Sequence, residues 1–464
     1  MKAVILAAGK GERLSQRKKQ SKQSKPRPKP LTSLLGLSLI ERAILTAQES
    51  GIGISDFVIV VGHRSEEVVK YIADKKKNNI NININIDFVV NEEWEKGNGL
   101  SVLTAKRVLK EKENSEDFVL LMCDHVFDPD ILKGLLEFAK NSNSGKCVLC
   151  IDSPENIFDL DDATKILLEE NTNRNRPKII GKEIENYNAV DCGIFYCTAE
   201  IFDALEEATG KGKYGLSDAV QCLIDRDRLD VFEIGGRFWC DIDTPSSLEY
   251  AEKKMLGSLE KTTDGIISKN INRRISKRIT AKIVNTDLRP TQITIISFIM
   301  ALIAAAFFSL GEYKYLIIGG ILAQLSSIID GCDGEVARLK FLATDSGAFV
   351  DSILDRYADG MMILGLIFGY WMLHEGEGIY VSIWIIGLFA LIGSFMLSYT
   401  NALAMPSSTT PARKRFIGIP VRRDMRVFMI MLGAFLNQVP GLLLLLAILT
   451  NLEVIRRVFS VYKL

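Results

Sequence analysis

Short runs of β-branched and aliphatic residues punctuate the first 250 positions of the chain. AVILA, FVIVVG, IDFVV, FVLLMCD and CVLCI read as strands, and LIERAILTAQES and SVLTAKRVLKEKE read as helices. This alternation predicts a Rossmann-like α/β domain with a mostly parallel sheet and helices on both faces. NINININID has the polar–apolar period of a half-buried strand, whereas QRKKQSKQSKPRPKP is basic and proline-rich and reads as a solvated, mobile loop. Beyond residue 290 the pattern changes. Long apolar runs at about 292–310, 315–334, 346–372, 379–402, 425–438 and 440–457 predict an all-α domain of six membrane-spanning helices. The fifth and sixth are short for a bilayer core of about 30 Å, and Asn437 to Pro440 reads as the turn between them. Ahead of the spans, ISKNINRRISKRITAKIV mixes basic and apolar residues at helical spacing. It predicts an amphipathic helix lying on the membrane surface. The expected organisation is therefore 1–255, a soluble domain; 256–290, a linker with the surface helix; and 291–464, the membrane domain.

Charge sharpens this picture. Lys and Arg number 57, as do Asp and Glu, so no bulk field favours nucleic acid. With the N-terminal domain inside, the inner loops carry Arg338, Lys340, Arg413, Lys414, Arg415, Arg422 and Arg423, and the inner tail carries Arg456, Arg457 and Lys463. The outer loops carry little beyond Lys314. This asymmetry predicts an even span count with the N-terminal domain cytoplasmic. The opening MKAVILAAG has too short an apolar run for a signal peptide. Eight cysteines sit mostly in apolar runs, and Cys147 and Cys150 fall on a strand, which favours buried thiols in a reducing compartment over a zinc or redox pair.

The membrane half carries an aspartate constellation. Asp330 and Asp333 share one helix face, and Asp351 and Asp355 share a face of the next helix. Two consecutive helices pack antiparallel, so four carboxylates can converge between them. At membrane depth such groups survive when they pair, line a cavity or bind cations; four mutually repelling carboxylates need positive charge, which Mg²⁺-type ions with oxygen ligands supply. Gly334 and Gly347 leave room for a nucleotide to approach the backbone. The stretch fits D-x2-D-G-x2-A-R-x8-G-x3-D-x3-D at every defined position and resembles the CDP-alcohol phosphatidyltransferase family over roughly residues 265–460. The resemblance implies that Asp330, Asp333 and Asp351 hold metals on the diphosphate of a CDP-alcohol. It implies that Asp355, also near the metals, is the base that takes the acceptor's hydroxyl proton. Gly334, Ala337, Arg338 and Gly347 would face the nucleotide. Lys414, Arg415 and Arg422 would either bind an acceptor phosphate or serve topology alone. The family also implies a homodimer through the membrane helices.

The soluble half opens with a strand and a glycine-rich turn, Leu6, Ala7, Ala8, Gly9, Lys10, Gly11, Glu12, Arg13. Such a turn can cradle phosphates with its backbone N–H groups. Asp124 ends an apolar strand, the position of catalytic groups in open α/β sheets. With Lys29, Gly97, Asn98, Ser101, Asp191, Gly193, Asp241 and Asp243, in this order, the first 255 residues resemble the sugar-nucleotidyltransferases. That implies Mg²⁺ or Mn²⁺ on Asp124 and Asp243, helped by Asp241, and neutralisation of phosphates by Arg13 and Lys29, with Lys25 available as the alternative lysine. The segments Leu6–Gly11 and Gly97–Ser101 would wrap the nucleotide. His125 reads as an orienting or packing residue.

One half would make a nucleotide-activated alcohol and the other would consume one. The fusion resembles the family that joins inositol-1-phosphate cytidylyltransferase to di-myo-inositol phosphate phosphate synthase. It implies CTP and inositol-1-phosphate as substrates, CDP-inositol as the intermediate and a compatible solute as the eventual product. Two other readings remain at this stage: a phospholipid synthase with a lipid acceptor or donor, and a soluble half that only binds nucleotide.

Overall fold

The computed structural model describes residues 1–14, 27–78, 84–111, 117–142, 145–169, 176–260, 265, 267–374, 380–403 and 421–462. It divides into two compact units, Met1–Lys254 and Met255–Leu464.

In the first unit the strands are β1 (Lys2–Ala7), β2 (Ser33–Leu34), β3 (Leu37–Ser38), β4 (Asp56–Val61), β5 (Asn85–Val90), β6 (Phe118–Met122), β7 (His125–Phe127), β8 (Cys147–Asp152), β9 (Lys165–Glu169), β10 (Arg176–Gly181), β11 (Ala189–Cys197), β12 (Leu229–Glu233) and β13 (Trp239–Asp241). The helices are α1 (Leu39–Glu49), α2 (Ser65–Asn78), α3 (Asn98–Glu111), α4 (Asp130–Ser142), α5 (Glu200–Gly210), α6 (Leu216–Asp225) and α7 (Pro245–Gly257). The main sheet runs β10-β9-β11-β6-β1-β4-β5, with β8 on β11 and β12 on β8. Strands β6, β1, β4 and β5 run parallel to one another, as does β12 to β8, while β11 runs antiparallel to β6, β8 and β9.

Central strands are apolar throughout because both faces are covered. Along β1, Val4 and Leu6 enter one core while Ala3, Ile5 and Ala7 enter the other. Helix α1 starts where Ser38 and Glu41 form a reciprocal capping box. The small β7–β13 ribbon pairs His125 with Asp241 across its register. The predicted strand of residues 79–87 begins at Asn85; residues 79–83 lie outside the described set, as do 15–26 of the basic run. The end of that run is not a mobile loop: Lys29–Leu31 forms a buried 3-10 turn. All eight cysteines are buried and free.

The second unit contains α8 (Arg273–Ile283), preceded by a π-helical turn Ser268–Asn272, then α9 (Pro290–Ser309), α10 (Tyr313–Leu339), α11 (Asp345–Leu373), α12 (Tyr380–Leu403), α13 (Arg423–Phe435) and α14 (Val439–Tyr462). Among the described residues, three segments are long and apolar enough to cross a membrane: Pro290–Ser309, Tyr313–Leu339 and Ser382–Leu403. Large apolar side chains of the second unit face outward, Phe349 of α11 at 67% and Leu388 of α12 at 52% exposure. Helix α13 is short, at about 20 Å, but the last helix is longer than its apolar run because it continues through Glu453, Arg456 and Arg457. These side chains pair with one another, and Arg457 also bonds Thr400 and Asn401 of α12, so the charge is satisfied internally.

Candidate active sites

In the first unit, Gly11 adopts φ +66°, and a Cβ there would stand 2.4 Å from Lys29 Cβ. Glycine thus lets the opening loop lie directly on the Lys29 turn. Lys29 Nζ is buried and donates to both Asp124 Oδ2 and Asp243 Oδ1. Burial disfavours the ammonium, but Asp124, Asp241 and Asp243 outweigh it and raise Lys29 above its usual value. Burial likewise works against the Asp124 carboxylate, yet Lys29 and His125 hold it below the usual range. Arg13 bridges Asp162 and Asp243, each at 2.6 Å. The backbone fixes the frame: Cys123 N donates to Leu6 O at 3.1 Å, and Ile242 N to Asp124 O at 3.0 Å. Asp243 N donates to Ser247 Oγ at 3.1 Å, at the start of α7.

Carboxylate and ring atoms of Asp124, His125 and Asp241 lie within 4.8 Å of one another. The sequence placed Asp124 and Asp243 as the principal pair; the structure joins these two through Lys29 and brings His125 and Asp241 in beside Asp124. His125 Nδ1 faces Cys192 O at 2.9 Å and its ring stands edge-on to Trp239. Gly193, at φ +64°, has no side chain to strike that ring. Asp241 lifts His125 to about 9 against the opposing effect of burial. Asn98 and Ser101 have structural partners: Asn98 Oδ1 accepts from Leu216 N at 2.8 Å, and Ser101 Oγ accepts from Asn91 Nδ2 at 2.9 Å. Gly97 lies against the Tyr214 carbonyl, where a Cβ would approach to 2.4 Å. Ala7 and Ala8 are buried beneath the opening loop.

In the second unit, α10 and α11 bring Asp330, Asp351 and Asp355 together, with oxygens within 4.8 Å of one another. Asp333 is not one of these three and has a partner of its own. Its Oδ2 accepts from Thr294 Oγ1 of α9 at 2.6 Å, and Asp330 accepts from Ser297 Oγ at 3.3 Å. The charge balance comes from a residue read in the sequence only as a loop charge. Arg423, at the start of α13, places Nη1 2.7 Å from Asp330 and 2.8 Å from Asp355, and Nε 3.2 Å from Asp359. Arg426 holds Asp359 from the other side at 2.7 Å. Asp359 continues the four-residue spacing of Asp351 and Asp355, so helical periodicity was the signal that could have found it. The three clustered carboxylates offer hard oxygen donors of the kind a divalent ion takes, and Arg423 balances two of them. Gly347 lies in the first turn of α11, its N–H capped by Thr344. Gly334 approaches Arg338, whose Nη2 reaches Leu259 O at 3.4 Å; Ala337 is buried. Lys25, Arg413, Lys414, Arg415 and Lys463 lie outside the described residues.

Two domain classes match this chain: residues 3–225 match the MobA-like NTP transferase domain and residues 288–455 match the CDP-alcohol phosphatidyltransferase family. Together with the three apolar helices, the second match marks the C-terminal unit as a membrane domain. The bifunctional IPC transferase and DIPP synthase of Rubrobacter xylanophilus is 34% identical over 462 residues, 99% of this chain and 96% of that protein. Its namesake in Aquifex aeolicus is also 34% identical, over 99% of this chain and 98% of its own. A solved structure, the inositol-1-phosphate CTP transferase from T. maritima, is similar at 25% identity and a TM-score of 0.45, covering 54% of this chain and 93% of that one. The chain belongs to the family of bifunctional IPC transferases and DIPP synthases, and it is a transferase.

Proposed function

We propose that the chain carries out two consecutive transfers. In the first unit, a phosphate oxygen of inositol-1-phosphate attacks the α-phosphorus of CTP, giving CDP-inositol and pyrophosphate. In the second, a hydroxyl of another inositol-1-phosphate attacks the inositol-bearing phosphorus of CDP-inositol. CMP leaves, and the product is phosphorylated di-myo-inositol phosphate. The observation that carries this reading is kinship with the bifunctional family over 99% of the chain, supported by one acidic cluster in each unit.

The residues have distinct work in each site. Lys29 and Arg13 bring positive charge to the triphosphate edge, and the Gly9–Gly11 loop offers backbone N–H groups to phosphate. Asp124, with Asp241 and Asp243, would hold Mg²⁺ or Mn²⁺ there, and Asp330, Asp333, Asp351 and Asp355 would do so in the membrane unit. Such an ion withdraws charge from a diphosphate and its departing group. Asp355 takes the acceptor hydroxyl proton. Arg423 exchanges its hold on Asp330 and Asp355 for the incoming anionic groups.

Loop charge supports a multi-pass arrangement of six spans with both sites on the cytoplasmic side, and family resemblance supports a homodimer through the membrane helices. The test is a product assay with CTP, inositol-1-phosphate and Mg²⁺. Pyrophosphate with no CMP would overturn the second transfer and point to a lipid acceptor. A product that partitions into organic solvent would do the same.

A further inference from the structure

Helix α8 meets α10 through polar side chains. Glu335 is 0% exposed. Its carboxylate accepts from Arg273 Nη1 at 2.7 Å, Ser276 Oγ at 2.6 Å and Thr280 Oγ1 at 2.7 Å. Further along the seam, Gln324 Nε2 donates to Asn272 Oδ1 at 2.7 Å, and Asn272 Nδ2 to Ser327 Oγ at 3.4 Å. Gly331 lies between, and Arg273 Nη1 stands 3.4 Å from where its Cβ would be. Residues 324, 327, 331 and 335 form one ridge of α10. Asp333 lies about 200° around the helix from both Gly331 and Glu335. On that opposite side Thr294 and Ser297 hold Asp333 and Asp330. The helix is therefore gripped on two faces within the turns that carry its carboxylates.

A buried ion pair contributes little to stability compared with an apolar pair of the same shape, but it fixes register and rotation. Rotation matters here. A carboxylate lies about 5 Å from the helix axis, so a roll of about 20° moves it by about 2 Å. Hard-cation ligands tolerate only about 0.2 Å.

We infer that Glu335, with Arg273, is a positioning residue for the transfer step: the pair sets the roll of α10 and thereby places Asp330 and Asp333. This rests on the transfer reading above. The test uses the full chain in detergent, with Glu335→Gln and the double variant R273M/E335M. One arm measures CMP release from supplied CDP-inositol and inositol-1-phosphate against Mg²⁺ concentration. A second arm measures Mn²⁺ binding by electron paramagnetic resonance in an Asp124→Ala background. Pyrophosphate release from CTP, on the same polypeptides with Asp124 intact, controls for intact protein. The expected result is a half-saturating Mg²⁺ raised about tenfold or more in both variants, Mn²⁺ binding weakened to match, and pyrophosphate release unchanged. A double variant with wild-type metal requirement, or variants that lose only maximal rate at unchanged metal affinity, would overturn the inference. If the wild type releases no CMP, the transfer reading fails, while the Mn²⁺ arm still decides this one.

Discussion

Replacing Arg423 by Met removes a guanidinium shared by Asp330, Asp355 and Asp359 and keeps an apolar stem of similar length. Removing one partner of a buried ion pair costs about 3–5 kcal/mol. Arg426 still holds Asp359, and Arg423 is itself 17% exposed, so the lower end applies. About 3 kcal/mol corresponds to a fall of roughly 6–12 °C in the unfolding midpoint of a unit this size. Divalent cation changes the comparison. In the wild type a cation must displace Arg423 from Asp330 and Asp355; in the variant it does not. Cation binding should tighten by about tenfold or more, returning about 1.4 kcal/mol or more of the lost stability at saturating Mg²⁺. The assay is thermal unfolding of detergent-solubilised protein followed by helical circular dichroism, without Mg²⁺ and with millimolar Mg²⁺. The gap between variant and wild type should narrow markedly when Mg²⁺ is added. An unchanged or wider gap would show that Arg423 and the cation do not share these carboxylates.

Other expectations follow from the two sites. Asp355→Asn should abolish CMP release and leave pyrophosphate release intact, while Asp124→Ala should stop pyrophosphate release and leave transfer from supplied CDP-inositol. Lys29→Met should slow pyrophosphate release by about 100-fold or more, since a buried cation between Asp124 and Asp243 is lost. Gly11→Ala should slow it by about 100-fold through displacement of the same lysine, visible as a rate loss without loss of the sheet's circular dichroism. Burial raises Asp191 to about 6, with the Gly193 N–H opposing. That acid favours the folded state fully below its ordinary value near 3.8 and loses the contribution as pH rises through about 6. Asp191→Asn should therefore gain on the wild type between those limits, by on the order of 2 kcal/mol for a part-buried side chain, in midpoints measured across the range.

Much of the architecture was visible in the chain because continuous apolar strands and long apolar helices carry their own period. β1, β4, β5, β6 and β8 fall on the runs that announced them. The antiparallel β11 did not announce its direction, since parallel and antiparallel buried strands share one pattern. The carboxylates were legible where spacing ties them to one helix face. Arg423 was not, because the contact crosses from α13 to α10 and α11, and nothing local distinguishes it from Arg422. The same limit applies to α8. Its basic and apolar mixture suggested a membrane-surface helix, whereas its buried side is a hydroxyl and guanidinium ridge around Glu335 that no local period reveals. Lys29 became distinguishable only through burial against Asp124 and Asp243.

The central claim is two chemically separate sites in series on one chain. It is tested most directly by incubating the purified protein with CTP, inositol-1-phosphate and Mg²⁺ and following pyrophosphate, CMP and the phosphorus NMR spectrum together. The account predicts release of both pyrophosphate and CMP and a water-soluble phosphodiester, with Asp355→Asn stopping at CDP-inositol. Release of neither, or loss of both products from the single Asp355→Asn change, would contradict it.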